Sequence, residues 1–318
     1  MQTKMKNAHL FRILKDFTLI LFVILLVVVS SLVDKNFLSS KNIENILRTT
    51  SNLAVISMGM LLVVITAGID LGVAANAGFA GVFLAGMLRD GMSAFPAVVL
   101  SLLICMVAGA SSGFMVNYMN IAPFIATLAC SSIVEGFKYI YCNSNTITIT
   151  NEAFLNFGNG SALGFANCIL YMFIIVIVLQ FAMSKTTFGR SMYAIGGNRQ
   201  AALLAGINVK KYTFLAYMIS GLFSGWSGII MAARLGVGSP STGSTYVNYA
   251  IAATVIGGAS LSGGRGKPFV VLFGALVISI INNLMTLRGI GSYYQKVVLG
   301  IIIIVAVFFS ETANKKRS

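Results

Sequence analysis

The chain has 318 residues, of which 57% are hydrophobic and only 9% charged, and its mean hydropathy is +0.89. A soluble domain carries about a quarter charged residues, so a large water-soluble domain is excluded. Apolar runs near membrane-spanning length recur instead, which makes this an all-α polytopic membrane protein. The net charge of +14 does not point to a nucleic-acid partner, because the basic residues sit at helix ends and in short loops, as the positive-inside rule requires.

In chain order, Lys4, Lys6, Arg12 and Lys15 place the N-terminus in the cytoplasm. The apolar stretch 17–33 lacks a small-residue cleavage site and is expected to stay as a first helix. Residues 34–52, of mixed charge, are expected outside. A helix over 53–67 returns inward and ends at Gly68-Ile69-Asp70-Leu71-Gly72, a small and polar break. Helices follow over 73–88, 94–116 and 122–141, with an outer turn at Arg89-Asp90 and an inner one at 117–120. The loop 142–166 has no Lys or Arg, as an outer loop should. A helix over 167–183 leads to the inner segment 184–211, and one over 212–233 to an outer loop at 234–249. A short helix over 250–261, then helices over 269–286 and 292–310, complete the chain before the inner tail Lys315-Lys316-Arg317. The reading is ten spans in one bundle covering 1–318, with both termini cytoplasmic. Fourteen of the 22 lysines and arginines then lie inside and six outside.

Gly221 and Gly225 are four residues apart, as are Ser220, Ser224 and Gly228, and Gly109 and Gly113. Small residues at this spacing let helix backbones approach closely where lipid offers no hydrophobic drive. The four cysteines include no C-x-x-C pair and read as small packed hydrophobes, although Cys142 and Cys168 flank one loop and could pair.

Few polar groups lie within the spans. Asp70 follows a helix at a glycine-rich break, where a role at a helix terminus or in a broken helix is the first expectation and solute contact the second. Glu135 and Lys138, three apart, share a helix face and can pair. Ionisable groups at this depth mark a functional site or an internal ion pair that fixes packing. The breaks at 68–76 and 258–268 are either half-helix ends lining a cavity or plain tight turns; the second reading is favoured for 258–268. The run 257–268 looks suited to phosphate, but a P-loop needs G-x-x-x-x-G-K-[ST]. Here Gly266-Lys267 is followed by Pro268, and Leu261 stands where the first glycine belongs. The chain carries no ATP motif of its own. His9 is the sole histidine, so neither a His-based metal site nor a triad can be built. No polar cluster of the kind a membrane enzyme needs is present.

The segment 184–211 interrupts the apolar pattern with five positive charges and no negative ones. Within it, Phe188-Gly189-Arg190, Tyr193-Ala194-Ile195-Gly196-Gly197-Asn198, Ala201-Ala202 and Gly206-Ile207 closely resemble the cytoplasmic loop of sugar ABC importer permeases, the ribose and simple-sugar permeases of the branched-chain amino acid permease-like family. The resemblance extends along nearly the whole chain. Gly68-Ile69-Asp70-Leu71, Pro123-Phe124-Ile125-Ala126-Thr127-Leu128, Ala250-Ile251-Ala252-Ala253, Gly257-Gly258, Ser260-Leu261, Gly263-Gly264, Asn282-Asn283 and Ser292-Tyr293-Tyr294-Gln295 match the family in order and spacing.

The resemblance implies a permease subunit, not an enzyme. It would pair with a second permease copy, identical or not, and with ABC ATPase subunits that bind the ATP. An extracytoplasmic sugar-binding protein would deliver the solute. A coupling helix around Gln200–Ala205 would dock on the ATPase, with Gly189, Arg190, Gly197, Asn198, Gln200, Ala201, Ala202 and Gly206 as the coupling residues. Asp70, Asn76, Phe124, Thr127, Asn282 and Asn283 are the candidate substrate-pathway residues, since aromatic and amide groups suit a sugar's C–H faces and hydroxyls. Glu135, Val247 and Tyr249 depart from the family pattern, as does Gly72–Asn76, which leaves a nucleoside or a sugar-like signalling molecule open as cargo. An ion-coupled secondary transporter using Asp70 and Glu135 is the reading from another class.

Overall fold

A computed structural model of the chain describes residues 19–315, with side chains to 308. The basic N-terminal residues, His9 and the Lys316-Arg317 pair lie outside the described residues.

Among the described residues thirteen helices run α1 (Leu19–Val33), α2 (Ser40–Ile65), α3 (Val73–Arg89), α4 (Ala94–Asn117), α5 (Pro123–Cys142), α6 (Glu152–Asn159), α7 (Asn167–Lys185), α8 (Thr187–Gly197), α9 (Arg199–Leu204), α10 (Val209–Leu235), α11 (Tyr246–Ile256), α12 (Pro268–Leu287) and α13 (Ser292–Lys315). All but α6, α8 and α9 correspond one for one to the ten expected spans. Among the described residues α2, α4, α7, α10 and α12 are long and apolar enough to cross a membrane unaided. α5 is as long as α12 but carries Glu135 and Lys138, and α1, α3 and α11 are shorter.

α2 and α10 form the centre. α2 is buried along most of its length, and α10 packs against α2, α3 and α4. The small-residue spacing works as expected. A Cβ at Gly109 of α4 would strike the Tyr217 carbonyl and come within 3.0 Å of the Gly221 Cα, while Gly228 leaves room for the Ala77 carbonyl of α3. Around this centre Leu21, Leu25, Val107, Ile133, Phe137, Ile174, Ile177, Phe181, Ile301 and Ile304 stand exposed. Such a belt of apolar surface is stable only in contact with lipid or another protein.

Several boundaries differ from the sequence reading. α2 begins at Ser40, so much of the segment expected as an outer loop is helical. Its polar residues Thr50, Ser51 and Asn52 are buried against α10, where the Ser227 hydroxyl donates to the Asn52 carbonyl (3.0 Å) and the Arg234 guanidinium to the Arg48 carbonyl (2.9 Å). Hydropathy falls there while the helix continues, because protein rather than lipid covers it. α11 stops at Ile256, short of 261, since Gly257 lies tight against Val271 and Gly258 turns the chain at φ +78°. The loop 142–166 contains α6 and a small antiparallel hairpin, Ser161–Ala162 with Phe165–Ala166. Asn76 belongs to α3 rather than to the preceding break. All four cysteines are free and buried, so Cys142 and Cys168 are not bridged.

Candidate functional site

At one end of the bundle α7 turns sharply into α8. Gly189 permits the turn, because a Cβ there would collide with the Met183 backbone. α8 buries Gly189, Met192 and Ile195 on one face and leaves Arg190 exposed. A single residue, Asn198, separates α8 from α9, and its side-chain oxygen accepts the Ala201 N–H at 2.9 Å, capping α9. α9 is anchored by Ala202, which is buried in a small cluster with Ile195 and Val209. Gly206 closes it in the left-handed region (φ +78°), its N–H donating to the Leu203 carbonyl. Gly197, Asn198, Arg199, Gln200 and Ala201 are exposed, as are Leu203 and Leu204, the last at 89%. A capped helix of six residues thus presents two leucines and an arginine outward, and it occupies the place expected for a coupling helix.

The far end of α8 meets two other segments. The Tyr193 hydroxyl donates to the Gly266 carbonyl at 2.6 Å. The Gly264 N–H donates to the Ile65 carbonyl, the last residue of α2, at 2.9 Å. A Cβ on Gly196 would overlap that same carbonyl oxygen and the Gly264 nitrogen, and one on Gly263 would lie 2.8 Å from the Gly196 oxygen and 2.9 Å from the Ala67 Cβ. The two glycine-rich breaks and the C-terminal end of α8 therefore touch backbone to backbone. Burial of the Tyr193 ring raises its phenol pKa above the ordinary value, so the hydroxyl stays a donor at neutral pH.

The candidate pathway residues do not share one cavity. Asp70 is 1% exposed, and its carboxylate accepts the Ser220 hydroxyl (2.7 Å) and the Gly72 N–H (2.9 Å), tying the α2–α3 break to α10. Asn76 is buried with its side-chain oxygen unpartnered. Thr127 is buried and donates to the Pro123 carbonyl at 2.9 Å, while Phe124 of the same helix points outward. Asn282 lies by the Tyr249 hydroxyl. Asn283 exchanges hydrogen bonds with Asn42 at the start of α2, a full helix of 26 residues, about 39 Å at 1.5 Å per residue, from the Asp70 end.

On α5 the Lys138 ammonium lies 3.5 Å from the Glu135 carboxylate. Lys138 is 2% exposed and Glu135 51%. The lysine chain runs through the space left by Gly78 of α3, beside the Thr242 carbonyl, with its nitrogen 5.0 Å from the Tyr139 ring centre. Among the described residues no three His, Cys, Asp or Glu side chains gather as a metal site would need.

Sequence reasoning missed Tyr193, Ile65 and the glycines of the α11–α12 connection as one junction, and Ser220 and Asn42 as partners of Asp70 and Asn283. The one signal available was the clustering of glycines in three separate segments.

This geometry, with a peripheral capped helix carried by α8, which itself meets two broken regions of an apolar bundle, can be set beside known proteins. The model of the branched-chain amino acid transport system permease component matches residues 42–307. The chain belongs to this permease family. It is 38% identical to the ribose import permease protein RbsC of Bacillus subtilis over all of this chain and 98% of that protein. It is 36% identical to RbsC of Escherichia coli K12, covering 94% of each, and 33% identical to the D-allose transport system permease protein AlsC of the same bacterium, over 94% of this chain and 92% of that protein. No solved structure matches. The permease is a multi-pass protein of the cell membrane.

Proposed function

We propose that this permease is the membrane subunit of an ATP-driven ABC importer that moves a monosaccharide of the pentose or hexose type inward by alternating access. Its relatives named for ribose and D-allose import, matched over nearly their full length, support the cargo class. The single observation that carries the drive is α9, a helix capped at both ends whose two leucines stand exposed among the described residues. The α8–α9 end faces the cytoplasm in this reading, and both termini lie on the same side. ABC ATPase subunits bind the ATP and receive α9. A second permease copy completes the pathway, and an extracytoplasmic sugar-binding protein supplies both the solute and part of the selectivity.

ATP binding to the partner and docking of the loaded binding protein bias the two access states, because a ligand shifts such an equilibrium only by its differential affinity for them. Asp70 has both carboxylate oxygens engaged within the protein, which favours a structural duty over an ion-coupling one. The test is reconstitution with the ATPase. Deleting 198–206 abolishes both stimulated ATP hydrolysis and sugar uptake. Asn198→Ala removes one helix cap, worth about 1 kcal/mol, and weakens stimulation while leaving the melting temperature of the bundle in place. Undiminished ATP-driven uptake by the deletion variant would refute the docking role.

A further inference from the structure

We infer that Tyr193 is a positioning residue of the drive, bracing a backbone junction that delivers a displacement of α9 to the α2–α3 break and the α11–α12 connection at one point. The inference rests on the reading that α9 receives the push. Its structural content is independent of the cargo.

The argument begins with stiffness. α9 follows α8 after the single residue Asn198 and packs its Ala202 against Ile195 of α8, and α8 ends on Gly196-Gly197. At Gly196 the neighbours are the Ile65 carbonyl and the Gly264 nitrogen, with no side chain between them. Side chains absorb motion by changing rotamer, and a contact between backbones cannot. The Gly264 N–H to Ile65 carbonyl bond then joins the second and third segments to each other. Beyond Ile65 the chain enters the turn that holds Asp70 against Ser220 of α10. Beyond Gly266 it enters α12 at Pro268. One input therefore meets two outputs, and each output leads into a helix of the central bundle.

The need for a brace follows from the glycines. Gly263, Gly264 and Gly266 adopt φ of +89°, +70° and +146°. Glycine backbones of this kind lose the most conformational freedom on ordering, and this stretch lies in neither helix nor strand. The Tyr193 hydroxyl fixes the Gly266 carbonyl across 73 residues of sequence. The hydroxyl is the part of the residue that reaches the connection, while the ring packs at the edge of the core. Tyr193→Phe accordingly removes the brace and keeps the ring.

Two measurements test this. In the first, spin labels at Leu204→Cys on α9 and Phe269→Cys at the start of α12, both exposed positions, report the distance distribution of the permease in lipid vesicles. Tyr193→Phe broadens it, and so does Gly264→Ala, which would place a Cβ 3.0 Å from the Gly197 nitrogen. An unchanged width in Tyr193→Phe overturns the inference. In the second, the complex with its ATPase is assayed for ATP hydrolysis and for uptake of ribose and other labelled monosaccharides. Loss of one ordinary hydrogen bond lowers uptake per ATP about fivefold while stimulated hydrolysis persists. A proportional fall in both activities, or an unchanged ratio, overturns it. If the unaltered complex shows no ATP-driven uptake, the importer reading fails by itself, and the distance distributions decide the junction alone.

Discussion

The side-chain amides of Asn42 and Asn283 exchange hydrogen bonds in both directions, Asn42 donating at 3.0 Å and Asn283 at 2.8 Å, and so clasp the first turns of α2 to the last turns of α12. Asn42 also donates to the Phe37 carbonyl at 2.9 Å. Asn283→Ala leaves the buried Asn42 amide short of a partner and should cost about 1–3 kcal/mol. Replacing both residues by Leu should recover part of that loss, because apolar groups need no partner. Thermal melts of the purified protein check this. A fall in sugar affinity with an unchanged melting temperature would instead assign Asn283 to the cargo.

The approach of α4 to α10 sets a second expectation. Gly109 faces the Tyr217 carbonyl and Gly221 with no room for a methyl group, whereas Gly136 on α5 has nothing within 4 Å of where its Cβ would stand. Gly109→Val should therefore destabilise by about 1–3 kcal/mol or more through overpacking. Gly136→Ala should be neutral to slightly stabilising in the isolated chain. Comparing the two melts separates close packing from helix propensity. If Gly136→Ala impairs the assembled transporter alone, that face of α5 is covered by another subunit.

Lys138 and Glu135 make the third case. The lysine is buried and its carboxylate partner half-exposed. Removing one member of such a pair leaves a charge without compensation, while removing the buried charge itself is often tolerated. Glu135→Gln should lower the melting temperature more than Lys138→Met does, and the double variant should resemble Lys138→Met. Uptake unaffected by Glu135→Gln alongside a lower melting temperature identifies the pair as structural.

Much of the bundle was legible because spans are written in hydropathy, and all ten expected spans have a helical counterpart. The misreadings occur where protein replaces lipid as the neighbour. Thr50, Ser51 and Asn52 looked like loop because they are polar, yet they are buried in a helix that packs against α10, whose Ser227, some 175 residues away, donates to the Asn52 carbonyl. α6 and the 161–166 hairpin were too short to leave a periodic trace. The site was half legible. Asn198 and Gly206 could be read as caps of a short helix from residue type alone. The meeting of Tyr193 with Gly266, and of Gly196 with Ile65, could not, since a glycine marks a close approach without naming what approaches. Asp70 stood out as a buried charge, but its partner Ser220 lay within a pattern that reads equally well as small-residue packing.

α2 is gripped at both tips, by Asn283 at one and by the Gly264–Ile65 bond at the other. A rod held in this way cannot slide along its own length without opening one of its fastenings. It can still turn or tilt as a unit while both hold. Any change of shape that preserves these two grips must swing the surrounding helices about α2, which makes a helix buried along most of its length the axle of the permease.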